Sequence, residues 1–164
     1  MPDFTDFYQL ENLDFTFGSI IVFLPRLISY REIFNPGSTL MEKNEKNKLQ
    51  ALIIDDETDI CYLLKGILRN KNIEATYAST LAEGERFLKQ SVATVIFLDN
   101  HLPDGFGIDH IGHFKKEYPQ AKIVMISAHD THSDRERAYK EGADFFIGKP
   151  FTRDSIIKTV EKII

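Results

Sequence analysis

From Leu49 onward, short apolar runs alternate with longer stretches in which apolar residues return every three or four positions. The runs at 51–54, 73–78, 94–98, 121–126 and 145–147 are bounded by polar residues and predict strands. Three of them are nearly continuous in apolar character, which suits parallel strands covered on both faces. Between the runs, Ile60, Leu63, Leu64, Ile67 and Leu68 make the stripe of one helix. Thr80 and Glu83 form a capping-box pattern that opens a second helix, presenting Leu81, Phe87 and Leu88. Ile108, Ile111 and Phe114 mark a third. Residues 131–141 form a polar fourth, with Ala138 and Tyr139 as its main apolar contributions. Thr152 is the expected N-cap of a fifth, with Ile156, Val160, Ile163 and Ile164 facing inward.

Five strand–helix units in succession predict an α/β fold with an open parallel sheet and right-handed crossovers. Such sheets carry their sites at the carboxyl ends of the strands. The domain spans 49–164. Ahead of it, residues 1–40 mix aromatics with turn formers and show no sustained period, and 41–48 is a polar, charged stretch. Residues 1–48 are therefore expected to be an extension and linker, poorly ordered or partly foreign to the natural product. Met41 is a sensible starting point for the domain.

Composition narrows the function classes. The chain is 43% hydrophobic, enough for one filled core, and carries a net charge of −5, so no general attraction to nucleic acid or anionic membrane is expected. The apolar run at 17–24 falls far short of the ~20 residues a membrane helix needs. No Lys or Arg precedes Arg26, which argues against a secretory signal. The single cysteine, Cys61, cannot form an internal disulfide; it reads as a packing residue and fits a reducing, cytoplasmic setting.

The strand ends carry the chemistry. The first run leads into Asp55-Asp56-Glu57, the third into Asp99, the fourth into Ser127 and the fifth into Lys149-Pro150. Two carboxylates ~4 Å apart repel by roughly 4 kcal/mol at an effective dielectric of 20. A cluster of them calls for a cation. Lys149 can supply one charge and a divalent metal two, with magnesium favouring a few carboxylates plus water and phosphate oxygen. The set suits a phosphoryl group: Asp99 as nucleophile, metal and Lys149 as electrophilic clamps, Ser127 as hydroxyl donor.

Asp55-Asp56, Asp99-Asn-His-Leu-Pro103-Asp-Gly105, Ser127-Ala128 and Lys149-Pro150-Phe151, in that order, resemble the response-regulator receiver domain of two-component phosphorelays. The resemblance runs from about Leu49 to Ile164. It implies a doubly wound, flavodoxin-like (βα)5 sheet in strand order 2-1-3-4-5, with Asp99 as phosphoacceptor. Magnesium or manganese would be held by Asp55, Asp56, Asp99 and the backbone carbonyl of His101. Ser127 would bind a phosphoryl oxygen, Lys149 would pair with the phosphoryl group or with Asp99, and Lys149-Pro150 would be cis. The family often has tyrosine three residues before the lysine; here Phe146 is the expected switch, acting by shape and apolar contact. His101 and His129 stand two residues beyond Asp99 and Ser127. They are expected to tune hydrolysis and to make the acyl-phosphate lifetime pH-dependent near neutrality.

Local structure explains other features. Pro103-Asp-Gly105 reads as a turn with Gly105 at positive φ. The pairs His110/His113 and His129/His132 lack the cysteines or paired carboxylates of a zinc site and read as solvated or capping residues. The resemblance implies a cytoplasmic, stand-alone switch that catalyses only its own phosphorylation and dephosphorylation. A histidine kinase or phosphotransfer protein would load it, and a downstream protein target would read it. It would be a monomer or a phosphorylation-dependent dimer, without nucleic-acid or membrane contact. Two alternatives remain: a phosphate-independent module of receiver shape, and a haloacid-dehalogenase-type phosphohydrolase. The second expects its nucleophile on the first strand and a carboxylate where His101 stands.

Overall fold

The computed structural model describes residues 49–164, so the extension and linker expected at 1–48 lie outside the described residues. The strands are β1 (Leu49–Ile54), β2 (Ile73–Ala78), β3 (Val95–Asp99), β4 (His101–Leu102), β5 (Gly105–Phe106), β6 (Lys122–Ser127) and β7 (Phe145–Gly148). The helices are α1 (Thr58–Arg69), α2 (Leu81–Gln90), α3 (Gly107–Glu117), α4 (His132–Glu141) and α5 (Arg153–Val160). Five strands form one parallel sheet in the order β2-β1-β3-β6-β7. This is the expected 2-1-3-4-5 order, because β4 and β5 form a separate two-residue hairpin.

Alternation along the strands divides the core between the two faces of the sheet. Leu52, Ile54, Ile96, Leu98, Ile123 and Met125 face α2, α3 and α4, meeting Leu81, Leu88, Ile108, Ile111, Phe114 and Ala138. Ala51, Ile53, Val95, Phe97, Val124 and Ile126 face α1 and α5, meeting Cys61, Leu64, Leu68, Ile156 and Val160. Full burial of each large aliphatic side chain contributes roughly 1.5–3 kcal/mol.

The helix stripes differ from expectation in three places. On α1, Leu63 is 49% exposed while Cys61 is fully buried, so the inward stripe is centred on Cys61, Leu64 and Leu68. Tyr139 of α4 is half exposed, leaving Ala138 as that helix's buried residue. The last helix ends at Val160, and Ile164, beyond it, faces solvent. Capping follows the sequence more closely. Thr152 caps α5 by accepting from the Ser155 amide, as expected. Thr80 accepts from the Glu83 amide, but the Glu83 carboxylate bonds the amide and hydroxyl of Ser79, so only half of the predicted box forms.

Strand register brings the chemistry to one edge. Ile54 pairs with Leu98, Asp99 with Ile126, and Ser127 with Gly148. The residues that leave β1, β3, β6 and β7 therefore emerge side by side.

Candidate functional site

Asp55 is 2% exposed, just past β1, and its amide donates to the Ala78 carbonyl at 3.0 Å. Asp99, the last residue of β3, and Ser127, the last of β6, are also buried. Lys149 follows β7 and reaches back across the edge. Its ammonium donates to Asp55 Oδ2 at 2.9 Å and to Glu57 Oε1 at 2.7 Å, and pairs with Asp99 Oδ1 at 2.8 Å. The Lys149-Pro150 bond is cis, as the resemblance implies, and the Lys149 amide donates to the Ser127 carbonyl at 2.7 Å.

The electrostatics follow from burial and pairing. Burial alone would push the Lys149 ammonium towards neutrality, but hydrogen bonds to Asp99, Glu57 and Asp55 outweigh it and raise its pKa. Burial raises the Asp55 carboxyl above the ordinary aspartate value; the Lys149 contact and the Glu57 amide offset only part of that. Cys61 lies under the site, its thiol donating to the Asp55 carbonyl at 3.3 Å. Burial, reinforced by Asp55, pushes that thiol up to about 11 and leaves it unreactive.

Asp99 is fixed from two sides. Its Oδ2 accepts from the His101 amide at 2.6 Å. The start of α3 packs onto its backbone: a Cβ on Gly107 would collide with the Asp99 carbonyl. Asn100 completes the join, its carbonyl accepting from the Gly107 amide at 2.9 Å and its Oδ1 from the Ile108 amide at 3.2 Å. Neither Asn100 nor Gly107 stands out in the sequence, because their partners lie within the same short loop and follow no periodic signal.

The other predicted residues take varied positions. Asp56 and the side chains of His101 and His129 are exposed, and the two imidazoles lie 5.0 Å apart between ring centroids. Ser127 Oγ accepts from the His129 amide at 3.1 Å. Phe146 is buried, with the Arg135 guanidinium 4.8 Å from its ring centroid and Arg135 itself paired with Asp130. The turn at 103–105 has Gly105 at φ 153°, and it does more than turn: the Asp104 carboxylate accepts from the Leu81 and Ala82 amides, capping α2 from 22–23 residues away. Among the described residues, no three His, Cys, Asp or Glu side chains form a ready-made metal cage. The donor set nonetheless fits magnesium. Asp55, Asp56, Glu57 and Asp99 face one ammonium, and that ion needs only one or two protein carboxylates.

This edge can hold a tetrahedral anion between an ammonium, a hydroxyl and a divalent cation, next to a fixed carboxylate. The family model of the response regulator receiver domain matches residues 51–161. The chain belongs to that family. Receiver domains are phosphoacceptor switches of two-component systems rather than conventional enzymes, and they bind magnesium at the acidic pocket. This membership sets aside the phosphohydrolase alternative.

The chain is 31% identical over 121 residues to the transcriptional regulatory protein MctR of Rhizobium johnstonii, a match covering 73% of this chain and 56% of that protein. It is 35% identical over 118 residues to the nitrogen assimilation regulatory protein NtrX of Azorhizobium caulinodans, covering 69% and 25%. These relatives are longer than the segment matched, unlike the stand-alone organisation expected from the sequence. Among solved structures, the beryllofluoride-activated NtrC4 receiver domain dimer has a TM-score of 0.67 at 32% identity, covering 70% of this chain and 94% of that one. A receiver domain protein of Methanospirillum hungatei also reaches 0.67, at 26% identity, covering 71% and 94%. Among the described residues no helix is long and apolar enough to cross a membrane.

Proposed function

We propose that this receiver domain accepts a phosphoryl group on Asp99 from the phosphohistidine of a histidine kinase or phosphotransfer protein. The observation that carries this reading is the Lys149 ammonium shared between the buried carboxylates of Asp55 and Asp99. A buried ammonium between two buried carboxylates leaves one carboxylate in excess, in a place where an incoming phosphoryl group can redistribute the charge.

In the step, an Asp99 carboxylate oxygen attacks phosphorus as the bond to the donor nitrogen breaks. The electron pair stays with the donor imidazole, which becomes neutral. The His101 amide holds the second Asp99 oxygen and orients the nucleophile, while Lys149 stabilises charge on the phosphoryl oxygens. Asp55, Asp56, Asp99 and the His101 carbonyl would hold magnesium. When bound, that ion neutralises charge on the phosphoryl oxygens.

Ser127 then donates its hydroxyl to a phosphoryl oxygen, and Phe146 responds through its packing. A shift from 1:99 to 99:1 between two states requires roughly 5.5 kcal/mol. A few charge-assisted hydrogen bonds of about 1.5–3 kcal/mol each suffice. His101 and His129 flank the acceptor and govern the approach of water, and hence the phosphoryl lifetime. Output passes to a protein target through the receiver surface.

Incubation with magnesium and acetyl phosphate or phosphoramidate, followed by intact mass, tests the proposal. Wild type should gain one base-labile phosphoryl group, and Asp99→Ala none. A folded wild type that gains nothing from either donor would point instead to a phosphate-independent module.

A further inference from the structure

Glu57 occupies an unusual place for its type. It is the N-cap of α1, a position that favours short hydroxyl, amide or aspartate side chains, yet its side chain makes no capping bond. The N-caps Thr80, Thr131 and Thr152 all cap their helices. The Glu57 carboxylate turns instead to Lys149, forming at 2.7 Å the shortest of that ammonium's three contacts. Its backbone is set for this by the Glu57 amide donating to Asp55 Oδ1 at 2.9 Å.

An ammonium has three N–H donors, and here each has a carboxylate partner. A phosphoryl oxygen arriving on Asp99 can engage Lys149 only if one partner leaves. Asp55 and Asp99 cannot leave cheaply, since each would become a buried carboxylate without its cation. Glu57 is 60% exposed and can return to water.

We propose that Glu57 is a positioning residue that holds Lys149 in the unphosphorylated site and releases it to the arriving phosphoryl group. The proposal rests on Asp99 being the acceptor. Glu57 is thus a competitor for the ammonium as well as a guide: it keeps the side chain extended over the site, and its departure is part of activation.

The test uses the full chain with Glu57→Ala, Glu57→Asp and Glu57→Gln. The aspartate keeps the charge but is one methylene too short to reach, which separates contact from general electrostatics. Acetyl phosphate phosphorylation, followed by intact mass, should be faster by about two- to fivefold in Ala and Asp alike, the range of an ion-pair contact. Nitrogen-15 NMR of the Lys149 ammonium, without metal, should show a protected signal in wild type that weakens in both variants. With magnesium and beryllofluoride as the phosphoryl stand-in, wild type and Glu57→Ala should give the same Lys149 signal, because Glu57 has left. The glutamine, a weaker acceptor of the same length, should fall between wild type and alanine.

An aspartate variant that behaves as wild type, or Lys149 signals that differ as much in the adduct as without it, would overturn the proposal. Phosphoryl gain by wild type is scored separately. Its absence defeats the acceptor reading and the release step with it, whereas its presence alongside an unchanged Lys149 signal in Glu57→Ala defeats this proposal alone.

Discussion

Gly107 shows how one missing side chain can place a nucleophile. Its Cα lies so close to the Asp99 carbonyl that no Cβ fits, and Asn100 ties the same turn through its carbonyl and its side chain. Gly107→Ala should therefore push the Asp99 backbone out of line, costing about 1–3 kcal/mol in the manner of an overpacked core. It should also slow phosphorylation by acetyl phosphate. Chemical denaturation and an intact-mass time course read the two effects. A variant with wild-type values for both would show that the α3 start can shift at no cost. The glycine is invisible in the sequence as a site residue because its importance comes from a contact eight residues back, not from its own chemistry. Asp55, Asp99, Ser127 and Lys149 were legible for the opposite reason: each is a polar residue directly after an apolar run.

At the level of elements, α4 is held differently from its neighbours. Its buried residue is Ala138, and its attachments are a Thr131–Asp134 capping box, the Arg135–Asp130 pair and an Arg137–Asp109 contact at 2.6 Å to α3. Exposed pairs of this sort are worth at most about 1 kcal/mol each and are screened by salt. Amide hydrogen exchange should find α4 opening well before α1 or α3, with the gap widening as salt rises. Equal protection of α4 and α1 would contradict this. The strands and helices themselves were readable, since apolar runs and three-to-four spacing report burial directly. What periodicity could not resolve was rotation about a helix axis. On α1, both the Leu63 side and the Cys61 side carry apolar residues, and only packing against β1 and β3 selects the second. Nor could it resolve long-range capping, such as Asp104 on the amides of α2, where no local pattern links the partners.

Over the whole molecule, Asp144 ties the sheet to the α3 side through charge. Burial would raise its carboxyl, but Lys115, the Ile123 amide and Lys122 together hold it below the ordinary aspartate value. A carboxylate depressed in the folded state adds stability that is complete above the unfolded value of about 3.9 and is lost as pH falls through the folded value. Thermal melts should therefore show stability falling from about pH 4 downward, and Asp144→Asn should flatten that acid limb. An acid limb unchanged in the variant would assign the loss to other carboxylates. A mechanical asymmetry also runs across the molecule. On one flank of Asp99, the α3 start abuts its backbone with no slack; on the other, Ser127 opens into residues 128–133, all facing solvent. A load applied at the acceptor meets a stiff wall and a compliant one. The strain must travel to the compliant side, so the push has a direction before any partner is present to receive it.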